Sequence, residues 1–580
     1  MVQNRDSRHS GGLPNSDLES MFLALEACLI VVCVALTLVC PRLGDSWFTE
    51  VEKRFSRFAQ KRALAVILVG ALGLGFRLAL LPILPVPQPK VTDEFSYLLS
   101  ADTFAHGRLT NPTHPMWVHF ETLQENWRPT YCSMYYPGFG LFLAFGQVVM
   151  GHPFWGVWLS SGLMCAAICW ALQGWMSLNW ALLGGLMAMI RLATFSYWAD
   201  SYWGGTVAAL GGALIIGALA RIRGTQRPRD SVLMGIGMAL LLYTRPYEGL
   251  FFCLPVIAAL AWWAAQKDRL AAKIWLAHVA APAALVMVIA FVALGYYFWR
   301  VTGSPFTTPY QVNMRTYGLI YFPWEQASAG NGFIRSIYPD GPSAGWKTLA
   351  LKHPLQLQTL KAAVIWLFYF GPLITLPWLA WLATLRRGNF QRAFTAELRL
   401  LFLICLATYF SCMLTIYTGQ PHYVSPLAAV FYAITLLMMR DLYRMSSSTS
   451  AGRFVARSVP LICAIVFAAR VVAPLAGMTP TPTWVRTWCS QDEQNLRRAS
   501  ILSQLEHTPG DHLVVVRYRP NHDFILDEWV YNGADIDGSK VIWARDMGPQ
   551  NAKLVEYFAR RHAWLLQPDY DPPKLTPYVQ

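Results

Sequence analysis

The chain has 580 residues, of which 55% are hydrophobic and only 14% charged, and its mean hydropathy is +0.34. Soluble domains carry nearer a quarter charged residues, so the composition excludes an ordinary soluble globular protein. The net charge of +14 would suggest nucleic acid in a soluble chain. Here the Lys and Arg residues lie in short loops between long apolar runs, the pattern of a polytopic membrane protein with no nucleic-acid partner.

In chain order, about twelve membrane-spanning helices are predicted, at 21–40, 63–84, 153–176, 180–197, 202–220, 231–244, 248–265, 276–299, 361–384, 399–418, 423–439 and 458–476. The first run, Met21 to Cys40, lies late for a signal peptide and lacks a clean small-residue cleavage site. It reads as a retained span or signal anchor. A short apolar segment at 137–150 suits a juxtamembrane or re-entrant helix, and Arg245-Pro246 breaks the run at 231–265. Three parts follow. Residues 1–62 hold an N-terminal tail, an extra span and a basic cytoplasmic loop. Residues 63–476 form an all-α transmembrane domain with large outer loops at 85–152 and 300–360. Residues 477–580 turn polar and form a small α/β domain outside the membrane. In that domain Gln491 to His507 reads as an amphipathic helix and Pro549 to Arg561 as another. Leu513–Val516, Val541–Trp543 and Ala563–Leu566 read as strands. The eleven cysteines fall mostly inside apolar runs, where they act as small hydrophobes, and no CxxC or Cys/His cluster suggests zinc.

The loops set the orientation. Five basic clusters fall on one side of the predicted threading: Lys53 to Arg62, Arg221 to Arg229, Lys267 to Lys273, Arg386 to Arg392 and Arg440 to Arg457. By the positive-inside rule that side is the cytoplasm. The opposite side receives the loop at 85–152, the turn at Asp200, the loop at 300–360 and the tail.

Candidate chemistry gathers on that outer side. Asp93 and Glu94 follow the second span, and a carboxylate pair at a membrane mouth is either a general base with its neighbour or a solvated loop pair. The same loop carries Tyr97, Asp102, His106, His114, His119, Glu121, Arg128 and Tyr135-Tyr136-Pro137-Gly138. Aromatic rings among carboxylates, His and Arg suit a sugar-binding cleft or an interfacial aromatic girdle. Asp200 reads as a helix cap or a site carboxylate, and Arg245 with Glu248 as an ion pair fixing a helix break or as site residues. Arg191 lies inside an apolar run, where it snorkels or pairs. Arg315, Lys352 and His353 in the loop at 300–360 are outer cations against the positive-inside trend. With His422, in the turn before Tyr423, they are candidates for an anionic ligand such as phosphate.

Taken together, these landmarks resemble the GT-C superfamily of integral-membrane glycosyltransferases, and among them the bacterial protein O-mannosyltransferase-like and lipid A aminoarabinose-transferase-like enzymes. The residues that carry the resemblance are Asp93-Glu94, Tyr136-Pro137-Gly138-Phe139-Gly140, Asp200, Arg245-Pro246 with Glu248, and His422-Tyr423, over about 63–476. The chain departs from the family at Tyr135-Tyr136-Pro137-Gly138, where a second proline and a nearby lysine are common. The resemblance implies a glycosyltransferase of the bacterial inner membrane and cell envelope. It would move a hexosyl or pentosyl group from a polyprenyl-phosphate donor to an acceptor hydroxyl on a lipid, glycan or protein. An inverting displacement needs one base, for which Asp93 is the candidate, with Glu94 orienting it or binding a sugar hydroxyl. The leaving phosphate would face Arg315, Lys352, His353 and His422, while Tyr97, Tyr136, Asp200, Arg245 and Glu248 would bind substrate or hold structure. No cofactor is expected; Asp93, Glu94 and Asp200 are the set for a weak divalent metal. The alternatives are a polytopic transporter or lipid-linked-sugar flippase, and a polymer ligase using the same donors.

Overall fold

The computed structural model describes residues 18–326, 330–385, 394–417, 419–445, 450–478, 486–491 and 493–579. The basic cluster at 386–392 lies outside the described residues. The chain opens with α1 (Leu18–Val39), α2 (Asp45–Ala59), α3 (Arg62–Ala79) and α4 (Thr92–Ala105), the last in the first outer loop. Next come a two-residue hairpin of β1 (Glu125–Asn126) and β2 (Cys132–Ser133), then α5 (Pro137–Met150), α6 (Phe154–Trp175), α7 (Leu178–Leu192), α8 (Thr206–Thr225), α9 (Pro228–Thr244) and α10 (Pro246–Ala265). A long helix, α11 (Arg269–Thr302), leads to three short outer helices: α12 (Pro309–Tyr317), α13 (Gly332–Ile337) and α14 (Ala344–Lys352). The membrane part ends with α15 (Pro354–Tyr369), α16 (Gly371–Thr384), α17 (Ala396–Leu414), α18 (Ala428–Met445) and α19 (Ala451–Leu475).

Among the described residues nine helices are long and apolar enough to cross a membrane: α1, α3, α6, α8, α10, α11, α17, the helical run Pro421–Arg444 that contains α18, and α19. They leave apolar side chains such as Val32, Ile67, Leu254, Val288, Val292 and Leu406 exposed, as lipid-facing helices do. The chain is an integral membrane protein. Three predicted spans fall outside these nine. The helix α7 has 15 residues, short for an upright crossing, and α9 has 17, at the lower limit of length. The predicted span at 361–384 is broken: α15 and α16 meet at 94°. Its cause is local. Gly371 adopts φ +57°, and Pro372 offers no amide hydrogen to continue the ladder. Both freed ends are satisfied by charges from other helices. Arg191 of α7 donates to the carbonyls of Tyr369 at 3.2 Å and Phe370 at 3.3 Å, and Glu26 of α1 accepts from the amide of Leu373 at 2.7 Å. A cation at a helix C-terminus and a carboxylate at an N-terminus each match the helix dipole. Arg191 therefore pairs inside the bundle and does not snorkel.

Contacts between loops show which ends share a side. Arg457 bonds Glu52 at 2.8 Å, Asn179 bonds Ser56 at 3.1 Å, and Gln173 donates to the carbonyl of Arg62 at 3.0 Å, so these basic loops sit together. At the other end the first outer loop, the loop after α11 and the tail converge.

The tail folds as α20 (Leu496–His507), β3 (His512–Val516), β4 (Val541–Arg545), α21 (Asn551–Tyr557), β5 (His562–Gln567) and β6 (Lys574–Pro577). The sheet order is β4-β3-β5-β6, with the first three strands parallel and β6 antiparallel to β5. The predicted helix at 491–507 starts later because Asn495 caps it, its side chain accepting from the amide of Arg498 at 2.9 Å. The sheet does not stand apart from the loop beneath it. Leu513, Val515, Ile536 and Ile542 share one buried core with Leu99, Phe120, Trp127 and Tyr131 of the first outer loop. The Tyr131 hydroxyl donates to the carbonyl of Asn532 at 2.8 Å, and Asp102 accepts from the amide of Ala534 at 2.7 Å.

Candidate active site

A cavity of about 400 Å³ lies where the outer loops meet. Asp93, Tyr97, Gln124, Tyr135, Tyr136, Arg245, Glu248, His422 and Tyr423 line it, with Tyr310, Tyr321 and Tyr417 from later segments and Ile525 and Leu526 from the tail. Asp93 is held in the first turn of α4, where the helix N-terminus favours a carboxylate. Its carboxylate accepts hydrogen bonds from the Tyr135 hydroxyl and the Gln124 side chain. Asp93 is half-buried: it opens onto the cavity while the protein around it screens bulk water. Burial raises its pKa above the ordinary 3.8, and the two hydrogen bonds and the Arg245 charge oppose that rise. Burial also pushes Tyr97 up to about 12, so its phenol is neutral and able to donate. The Tyr97 ring stacks on Tyr135 with centroids 4.4 Å apart, and Phe139 meets its edge at 5.2 Å.

Gln124 is the residue that sequence reasoning missed. It adopts φ +65°, a conformation that costs a non-glycine residue about 1–3 kcal/mol. Its carbonyl accepts from Ser96 at 2.6 Å and from the amide of Met134 at 3.1 Å, which holds the strained turn. The side chain is thereby fixed beside Asp93. Nothing local in the sequence signals this, because the turn is imposed by contacts across the hairpin.

The other predicted residues divide. Glu94 does not line the cavity. Its carboxylate accepts from the amides of Lys90 at 2.8 Å, Val91 at 3.4 Å and Tyr202 at 3.1 Å, so it caps α4 and ties it to the Asp200 turn. Asp200 also lies off the cavity, buried against Arg77 of α3 at 3.4 Å. Arg77 reaches the carbonyls of Leu84 at 2.8 Å and Ala199 at 3.1 Å, so this buried pair pins the end of α3 to the second outer turn. Arg315, Lys352 and His353 are exposed and do not line the cavity, so the structure does not bring them together with Asp93. His422 does line it, with Nδ1 2.9 Å from the Tyr197 hydroxyl. Among the described residues Arg245 is the one arginine or lysine that lines the cavity. It pairs with Glu248 at 3.7 Å, and its guanidinium lies 5.1 Å over the Tyr423 ring. Tyr136 lines the cavity and opens α5. Gly138 and Gly140 behind it are packing residues: a Cβ would fall 2.7 Å from the Tyr243 carbonyl at one and 2.1 Å from the Ser100 hydroxyl at the other. The motif thus seats α5 between α4 and α9.

Among the described residues no three His, Cys, Asp or Glu side chains group to hold a metal ion. Asp93, Glu94 and Asp200 do not form one site, because Glu94 and Asp200 are committed to backbone amides and Arg77.

No protein-family model and no curated protein matches the chain. The oligosaccharyltransferase of Archaeoglobus fulgidus, solved with zinc and sulfate, is similar in structure with a TM-score of 0.50 at 12% identity. The match covers 87% of this chain and 67% of that one. The fold is GT-C. A second GT-C structure, ArnT from Cupriavidus metallidurans in the apo state, matches at 15% identity with a TM-score of 0.45, over 86% of this chain and 92% of that one.

Proposed function

We propose that the chain is a membrane glycosyltransferase that moves a sugar from a polyprenyl-phosphate donor to an acceptor hydroxyl in the cavity at Asp93. The observation that carries this reading is a half-buried carboxylate, Asp93, and a guanidinium, Arg245, lining one tyrosine-rich cavity. Asp93 takes the proton from the acceptor hydroxyl as its oxygen attacks the anomeric carbon. The bond from that carbon to the phosphate oxygen breaks, and the electron pair leaves with polyprenyl phosphate. Arg245 offsets the charge that gathers on the leaving phosphate. The raised pKa makes Asp93 a stronger base than an ordinary carboxylate while Tyr135 and Gln124 fix its direction. The tyrosine rings offer faces for a pyranose and hydroxyls for its edge. The active site and the tail would then face the outside of the bacterial inner membrane.

The test is transfer of label from a radiolabelled polyprenyl-phosphate sugar by the purified protein in nanodiscs, with extracted envelope lipids and glycans as acceptors. Asp93→Asn should lower turnover by about 10²–10⁴-fold without loss of fold. Full activity in that variant would move the base elsewhere, with Glu248, the second carboxylate in the cavity, the next to replace. Movement of the intact donor across the bilayer without transfer would favour the flippase instead.

A further inference from the structure

A second cavity, of about 540 Å³, lies at the junction of the first outer loop, the loop after α11 and the tail. That is within the range of about 300–1,000 Å³ common to ligand sites. Its floor comes from the carboxyl ends of two parallel strands: Val516, Arg517 and Tyr518 where β3 ends, and Arg545, Asp546 and Met547 where β4 ends. In the order β4-β3-β5 the chain leaves β3 for one neighbour and returns from β4 past β3 to the other. The connections after β3 and β4 therefore run in opposite directions. The crevice outside such a reversal is where open parallel sheets hold ligands.

The lining selects among ligands. Trp117, Phe333, Tyr518 and Phe524 present aromatic faces. Between them lie planar hydrogen-bonding groups. Asn331 binds the Glu121 carboxylate, and Arg517 pairs with Asp546. Arg545 lies 4.4 Å from the Phe333 centroid, and its hydrogen bonds, to the Glu121 carbonyl at 3.1 Å and to Glu528 at 3.4 Å, both run through one terminal nitrogen. Its Nε has no partner among the described residues. Two carboxylates, Glu121 and Asp546, balance two arginines in the lining, so the crevice has no positive excess to draw a phosphate or an acidic peptide. Ring faces beside paired carboxylate, amide and guanidinium edges fit a neutral pyranose, whose CH face stacks and whose hydroxyls both donate and accept.

The crevice also shares its walls with the first cavity. Phe524 lines one, and Ile525 and Leu526 line the other; Glu121 and Gln124 divide in the same way. We infer that this crevice is a carbohydrate-binding site in which the glycan part of the acceptor is held next to the Asp93 cavity. Calling that glycan the acceptor rests on the proposed transferase activity; binding of a glycan does not.

Saturation-transfer NMR on the full chain in nanodiscs, with chitotriose, cellotriose and maltotriose as probes, tests the site. At least one trisaccharide should receive saturation. Phe333→Ala and Arg517→Ala, each removing one ring face or one charged donor, should weaken its binding about tenfold. Asp93→Asn should bind it as the parent does. Thermal unfolding checks each variant, and Arg517, half-exposed at the rim, supplies a folded variant if Phe333→Ala is unstable. Silence from all three probes, or unchanged affinity in Arg517→Ala, overturns the proposal. Loss of binding in Asp93→Asn also overturns it, since the sugar would then occupy the first cavity. Failure of label transfer with sugar binding intact would instead count against the transferase reading alone.

Discussion

Replacing Tyr135 by Phe removes one hydroxyl and keeps the ring that stacks on Tyr97 at 4.4 Å. That hydroxyl donates to Asp93, and the bond favours the charged carboxylate. A hydrogen bond to a charged group is worth about 1.5–3 kcal/mol, and one pKa unit corresponds to about 1.4 kcal/mol, so its loss should raise the Asp93 pKa by about one to two units. A base works only when deprotonated. The acid limb of kcat/KM should therefore move to higher pH by that amount in Tyr135→Phe, with less change in rate on the plateau. A pH profile of label transfer from pH 4 to 9 reads this directly. A limb that stays in place, or moves to lower pH, would show that Asp93 is not the titrating group. Stability gives an independent sign. Because the folded-state pKa of Asp93 is raised, its contribution is full below the unfolded value near 3.8 and is lost as pH rises through the folded value. Asp93→Asn should therefore be as stable as the parent at neutral pH, or more so.

Three further outcomes are expected. Arg245→Gln should raise the donor KM by about ten- to hundredfold, the loss of one charge-assisted contact to phosphate, while Lys352→Ala and His353→Ala should leave it unchanged; equal effects from all three would return the phosphate to the loop at 300–360. With the exposed native Cys28 and Cys40 replaced by Ser, a cysteine at Pro112 and one at Lys553 should react with a membrane-impermeant maleimide from the same side, and one at Lys53 from the other; any other pattern breaks the threading. Glu26→Ala strands the Leu373 amide and the Trp488 indole N–H at the helix break, at a cost of about 1–3 kcal/mol. It should melt at lower temperature than the parent, whereas Glu26→Gln, which keeps an acceptor, should lose less.

Hydropathy and charge made most of the membrane architecture legible, because each span is a local run of apolar residues. The right angle between α15 and α16 was not read, although Gly371-Pro372 marks it, since a bend there needs Glu26 and Arg191 from distant helices to hold its ends. Asp93 could be singled out from its place beside a span. The groups that set its chemistry could not. Gln124 is aimed by a strained turn, Tyr310 and Tyr321 reach the cavity from the loop after α11, and Tyr417 reaches it from the turn between α17 and α18. Arg315, Lys352 and His353 show the limit of sidedness: it assigns a loop to one end of the molecule but not the direction a side chain faces. Asp200 and Glu94 looked like site carboxylates because their partners, Arg77 and three backbone amides, are invisible until the chain folds.

The core shared by the first outer loop and the tail has a consequence for biogenesis. Tyr131 and the carbonyl it bonds are 401 residues apart, and Asp102 and its amide partner are 432 apart. During synthesis the loop emerges early, with Phe120, Trp127 and Tyr131 lacking the strands that cover them, and it waits while the intervening helices are inserted. Ile525 and Leu526, which also wall the Asp93 cavity, are synthesised after every described membrane helix. Assembly thus leaves the cavity open and the loop's apolar residues uncovered until the tail is made, so a product truncated before the tail displays both to proteases.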